Sequence, residues 1–114
     1  MDKYLKVMAD YSSSGLWRRD GVNVYEHAYG LSSNTLLTLA EWCNWYESND
    51  SYLGELDRKD PPFDLKSFSE RGLEVARMIK EELPDWEIVY FDEHLMMALM
   101  DDTCGRRDVY EYSV

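Results

Sequence analysis

EELPDWEIVYFDEHLMMALMDD, from Glu81 to Asp102, is the stretch around which the chain is organised. Pro84 closes the helix before it, because the ring removes an amide donor. Trp86-Glu87-Ile88-Val89-Tyr90-Phe91 is rich in β-branched and aromatic residues, the composition of a buried strand, which runs to Asp92. His94 to Met100 then predicts a short helix, since Leu, Met and Ala favour that state; a strand is the alternative there. The same 22 residues hold eight carboxylates and no Lys or Arg. One segment therefore predicts both a central strand and the most negative part of the surface.

Upstream lies the strongest periodic signal. Leu65, Phe68, Gly72, Val75, Ala76, Ile79 and Leu83 recur at three- and four-residue steps, with Lys66, Glu70, Glu74, Arg77 and Lys80 outside the stripe. This predicts a helix capped by Asp64 and running to about Leu83, roughly 28 Å long at 1.5 Å per residue. Gly72 in mid-helix costs about 1 kcal/mol against Ala, and close packing onto the sheet would justify it. An earlier helix is predicted from Asn34 to Ser48, with Ser32-Ser33-Asn34 as cap candidates. Its face of Leu36, Leu39, Ala40, Cys43 and Tyr46 is widened by Leu37, Trp42 and Trp45. Either the helix is buried on more than one side, or Trp42, Trp45 and Tyr52 form an aromatic patch open to a partner. Asn49 to Pro62 is a polar connection, punctuated by Gly54 and Pro61-Pro62.

At the amino end, Tyr4 to Tyr11 predicts a first strand, ended by Ser12-Ser13-Ser14-Gly15. That turn lacks the spacing of a phosphate loop or a nucleophile elbow. Leu16-Trp17 leads into a second turn, Arg18-Arg19-Asp20-Gly21, and Val22 to Tyr25 predicts a short strand. The chain to Leu31 is loop. At the other end, Arg107 to Val114 alternates and predicts a final strand at a sheet edge. The fold class is α+β or α/β: a small single domain over residues 1–114, with a three- to four-stranded sheet packed by two main helices and one short helix.

The totals suit that picture. The chain has 114 residues, 45% hydrophobic and 14% aromatic, with nine Tyr and four Trp. It is long enough for one core and too apolar to be disordered. Its net charge of −11, from 23 acids and 12 bases, argues against a duplex DNA or RNA binder and against an anionic membrane surface. A basic protein partner is favoured, with solubility alone as the alternative use of the charge. MDKYLKVMADY has no long apolar run, so a signal peptide is not expected. No stretch approaches a membrane span, and the expected location is cytoplasmic.

Candidate chemistry is sparse. Asp92-Glu93-His94 lies at a strand end, and with Asp10 it offers the alternative reading of a small metal-dependent hydrolase. Adjacent residues point in different directions, however, and His94 has no ligand-spaced partner. Cys43, Cys104, His27 and His94 match a zinc set in number but lack any C-x-x-C or H-x-x-x-H pair. A Cys-His nucleophile pair, such as Cys104 with His94, needs an activated thiolate, and this thiol is set between Arg106-Arg107 and Asp101-Asp102. Cys43, at an apolar helix position, predicts a buried free thiol. No catalytic residue, cofactor or metal ligand is assigned.

Four segments carry a resemblance: KVMADYSSSGLW near the amino end, DLKSFSERGLEVARMIKEELPDW, the VYFDE strand end, and the terminal VYEYSV. Together they resemble small bacterial proteins whose character is similar to immunity proteins encoded beside contact-dependent or polymorphic toxins. The apolar segment from His94 to Met100 departs from that pattern. The resemblance implies a non-enzymatic inhibitor that occludes a toxin domain, and many such toxins are nucleases, which are basic because they hold phosphates. The residues themselves supply the contact candidates. They are Glu81, Glu82, Asp85, Glu87, Asp92, Glu93, Asp101 and Asp102 for charge, and Trp42, Trp45 and Tyr52 as aromatic anchors. A third reading is an interaction module unrelated to toxins, pairing through the final strand.

Overall fold

The computed structural model describes residues 2–99 and 109–114. Four strands form one mixed sheet: β1 (Tyr4–Val7), β2 (Leu16–Trp17), β3 (Glu87–Phe91) and β4 (Glu111–Ser113). Three α-helices accompany them: α1 (Ser33–Tyr46), α2 (Leu65–Glu82) and α3 (Glu93–Leu99). The strand order is β2-β1-β3-β4, so β4 is an edge, as its alternating sequence predicts. β1 and β3 run parallel, with Leu5 opposite Ile88 and Val7 opposite Tyr90. β2 and β4 are antiparallel to their neighbours. The architecture is α+β.

The first strand ends four residues earlier than predicted. The Met8 amide donates to the Gly15 carbonyl at 2.9 Å, which turns the chain into a hairpin. Gly15 takes a φ of +84°, and a Cβ there would sit 2.7 Å from the Cys43 sulfur. Leu16-Trp17, expected only to lead into a turn, is β2. Val22 to Tyr25, expected as a strand, makes a single bridge from Asn23 to Trp17. A tight turn at Arg18–Val22 leaves too little chain to pair further before the 3-10 turn at Glu26–Tyr29.

Both main helices form where their periodicity places them. Ser32 caps α1 by accepting from the Thr35 amide, and Asp64 caps α2 by accepting from the Ser67 amide. They cover the sheet face that carries Leu5, Val7, Leu16, Ile88 and Tyr90, all fully buried. From α2 come Phe68, Val75, Ala76 and Ile79, each at most 2% exposed. Burial of a Phe, Val or Ile side chain contributes about 1.5–3 kcal/mol, so this stripe dominates the energetics of the helix. His94 to Leu99 is helical rather than a strand.

Gly72 explains how the layers lock. A Cβ there would meet the Tyr90 hydroxyl and lie 2.5 Å from Trp42 Cζ2. The missing side chain leaves the preceding turn of α2 open to two aromatic donors. Trp42 Nε1 donates to the Phe68 carbonyl at 3.0 Å, and the Tyr90 hydroxyl donates to the Ser69 carbonyl at 2.7 Å. The Trp42 and Phe68 rings stack 4.9 Å apart. Close approach thus satisfies polar groups that would otherwise be costly to bury.

Candidate functional site

The parallel pairing of β1 and β3 brings their carboxyl ends together. Asp10 and Tyr11 follow β1, Asp92 and Glu93 follow β3, and the end of α1 adds Tyr46 and the C-cap residue Glu47. Ser12, with a φ of 57°, folds the loop so that its amide donates to Glu47 Oε2 at 2.9 Å. The Tyr11 hydroxyl donates to the Asn49 carbonyl, which ties the β1–β2 turn to the segment after α1. Tyr11 packs on Tyr46 with ring centroids 5.0 Å apart and meets Tyr52 edge-on at 5.9 Å. Tyr52 is 74% exposed, so this end presents tyrosine faces to solvent among carboxylates.

The carboxylates here differ in role. Asp92 caps α3, accepting from the Leu95 amide at 3.0 Å, and its other oxygen accepts from the Tyr112 hydroxyl at 3.0 Å. Glu93 accepts from the Tyr46 hydroxyl at 2.9 Å. Burial pushes the Glu93 carboxyl up; the Tyr46 bond opposes this and the negative charge of Asp10 adds to it. Burial, then Glu93, pushes the Tyr46 phenol up, which keeps it a donor. Asp10 and Glu47 are exposed. Among the described residues none of Asp10, Glu47, Asp92 and Glu93 forms an ion pair with a basic side chain. Their field is therefore not neutralised locally.

Glu81, Glu82, Asp85 and Glu87 lie at the opposite end of β3, about 17 Å away at 3.3 Å per residue. Glu82 binds the start of α1 through Ser32 and Thr35. Glu87 pairs with Arg19 at 3.2 Å. Glu81 and Asp85 are exposed. The described acids of the run thus divide between the two ends of the sheet rather than forming one patch. Asp101, Asp102 and Cys104 lie outside the described residues.

Of the aromatic anchors, Trp42 is in the core at 2% exposure. Its breadth of apolar contact reflects a helix buried on several sides, not a surface patch. Trp45 is half-buried, edge-on to Phe68 and tilted against Phe63. Tyr52 alone of the three is open. No local sequence spacing links Tyr11 and Glu47 to Tyr52; they meet only through the β1–β2 turn.

The hydrolase constellation does not converge. Asp92 and Glu93 are held by Tyr112 and Tyr46, and the His94 side chain is exposed while its amide donates to Ser69 Oγ at 3.1 Å. Among the described residues no three His, Cys, Asp or Glu side chains stand together as a metal site. Cys43 is a free buried thiol, pushed up to about 12 by burial. A thiol so raised is a poor nucleophile at neutral pH.

A family model of Serratia CdiI immunity protein-like proteins matches residues 3–93. The chain belongs to that family. The matched span of this CdiI-like chain includes β1, both main helices, β3 and, at the acidic tyrosine end, Asp10, Tyr11, Tyr46, Glu47, Tyr52, Asp92 and Glu93. No curated protein matches the chain. No helix among the described residues is long and apolar enough to cross a membrane.

Proposed function

We propose that this CdiI-like chain is a non-enzymatic immunity protein that binds and neutralises a basic toxin domain, a nuclease being the class whose surface fits best. Membership of the immunity family is the observation that carries this reading. The charge gives it direction. A net charge of −11 speeds encounter with a basic partner, and the carboxylates at the β1 and β3 carboxyl ends have no ion-pair partners of their own among the described residues. Exposed Tyr11 and Tyr52 beside them supply contact area at low entropic cost. A nuclease holds phosphates with Lys and Arg, so an acidic cover competes with substrate for the same groups.

The contact set proposed for the partner comprises Glu81, Asp85, Glu87, Asp92, Glu93, Asp101 and Asp102 from the acidic run, and Tyr52 with Trp45 as anchors. Asp10, Glu47 and Tyr11 join them on the grounds of their position. Glu82 and Trp42 act through the fold instead. The test is affinity capture of the tagged protein in its native host, washed at low and then high salt. The expected result is one stoichiometric basic protein, released by high salt, whose activity the purified immunity protein abolishes. Retention of no basic protein at low salt would sink the electrostatic reading.

A further inference from the structure

A groove of about 710 Å³ lies at the opposite end of the sheet, where β1 and β3 begin. Its aromatic walls are Tyr4, Tyr29 and Trp86, and its charged rim is Asp2, Arg18, Arg19 and Asp20. We infer that this groove receives an arginine or lysine side chain from the partner's basic surface. The identity of that partner rests on the immunity reading; the groove's preference for a cation does not.

Three observations support the assignment. The first is a resident example of the chemistry. The Arg19 guanidinium sits 4.2 Å above the Tyr4 ring and is held by Asp2 at 2.9 Å and Glu87 at 3.2 Å. The groove's own arrangement, an aromatic face flanked by carboxylates, is what a guanidinium seeks. The second is charge. The four charged lining residues balance, Arg18 with Asp20 and Arg19 with Asp2, and Glu87, which shares Arg19 from outside the lining, leaves one surplus negative charge. That surplus repels an incoming anion and attracts a cation. Exposed Asp85 adjoins Trp86 and adds to the same sign.

The third is preorganisation. The Trp86 amide donates to the Leu83 carbonyl at 3.0 Å, and Lys80 Nζ donates to the carbonyls of Pro84 and Trp86 at 3.0 and 2.7 Å. Tyr29 meets the indole edge-on at 5.5 Å. The wall is therefore set before a ligand arrives, which lowers the cost of ordering it. Trp, Tyr and Arg around a concavity are also the residue types that dominate binding energy at interfaces. One partner can span this groove and the tyrosine end, because an interface of about 800 Å² per partner is roughly 30 Å across.

The experiment titrates the isotope-labelled protein with N-acetyl-arginine amide, N-acetyl-norleucine amide and N-acetyl-glutamate amide. Resonances of the Trp86 indole and the amides of Tyr4, Arg19 and Tyr29 are followed. Saturable shifts confined to the groove, at least about fivefold stronger for the arginine probe than for norleucine and lost in both Trp86→Ala and Tyr29→Leu, are expected. Shifts equal for norleucine, or largest for glutamate, would overturn the cation assignment, as would no saturable shift at all. The captured partner supplies a second arm. Its affinity for Trp86→Ala is expected to fall more than about tenfold, with the exposed-site control Leu37→Ala unchanged. A partner that binds Trp86→Ala as tightly as wild type removes the groove from the interface but leaves the immunity reading standing. If wild type captures no partner, the immunity reading fails, and the arginine titration still decides the groove.

Discussion

The carboxylate of Glu82, in the last turn of α2, accepts hydrogen bonds from both the amide (2.6 Å) and the hydroxyl (3.0 Å) of Ser32, the residue that caps α1. The Thr35 hydroxyl donates to the same carboxylate. One negative charge thus sits at the amino end of α1, where the helix dipole favours it, and staples the end of one helix to the start of another.

Glu82→Ala is expected to lower stability by about 1–2 kcal/mol, the usual range for a lost cap with its charge-assisted bonds. The Thr35 bond, with those of Ser32, holds this carboxyl below its ordinary value of 4.5. A depressed folded-state pKa gives stability that is complete above 4.5 and fades as pH falls through the folded value. Urea unfolding at pH 7 and pH 3 should show the mutant's deficit shrinking in acid. An equal deficit at both would count against the ionic part of the staple.

Glu93 has the opposite sign. Burial holds its carboxyl above 4.5, so ionisation costs more in the folded state than in the unfolded one. That cost is absent below 4.5, where both states are protonated, and grows as pH rises through the folded value. Glu93→Gln keeps an acceptor for Tyr46 and is expected to stabilise the protein at pH 7.5 by no more than about 1 kcal/mol, since the group is only partly buried. The gain should vanish near pH 4. A pH-independent difference would show that the effect is packing rather than charge.

Gly72→Ala tests the contact between layers. Helix propensity alone would make the change favourable by about 1 kcal/mol. The added methyl instead meets the Tyr90 hydroxyl and Trp42, and both rings are pinned by hydrogen bonds to α2. A net loss of about 1–3 kcal/mol is expected, the range for overpacking. Thermal unfolding of the variant measures it, and a raised midpoint would refute the close-approach account.

For the partner captured from the host, combined Asp10→Asn, Glu47→Gln, Glu81→Gln and Asp85→Asn changes are expected to slow association by about fivefold or more at low salt and to flatten its salt dependence. All four side chains are exposed, so unfolding is not the anticipated cause of any loss. Stopped-flow or surface-plasmon measurements of the on-rate give the answer. An unchanged on-rate would show that charge does not steer the encounter.

Local pattern carried much of this fold. The stripe from Leu65 to Leu83 determined α2 and its buried face, because a 3.6-residue period leaves one geometric solution. The β-branched run after Trp86 determined β3, and the alternation near Val114 determined an edge strand. The sequence also determined the sign of the charge and the kinship with immunity proteins. The dipeptide strand Leu16-Trp17 was hidden, since two residues have no period; it exists because the Gly15 turn delivers them to β1.

Only the tertiary structure decided which side chains share a surface. An acidic run reads as one patch in sequence, but a five-residue strand inside it separates Glu81, Glu82 and Asp85 from Asp92 and Glu93 at opposite ends of the sheet. Trp42 and Tyr52 both look like anchors until packing buries the first and leaves the second in solvent. The groove of Tyr4, Tyr29 and Trp86 draws on three separate segments, joined by the parallel register of β1 and β3 and the turn beyond β2. Periodicity specifies which face of an element is apolar; it carries no information about which distant face it will meet.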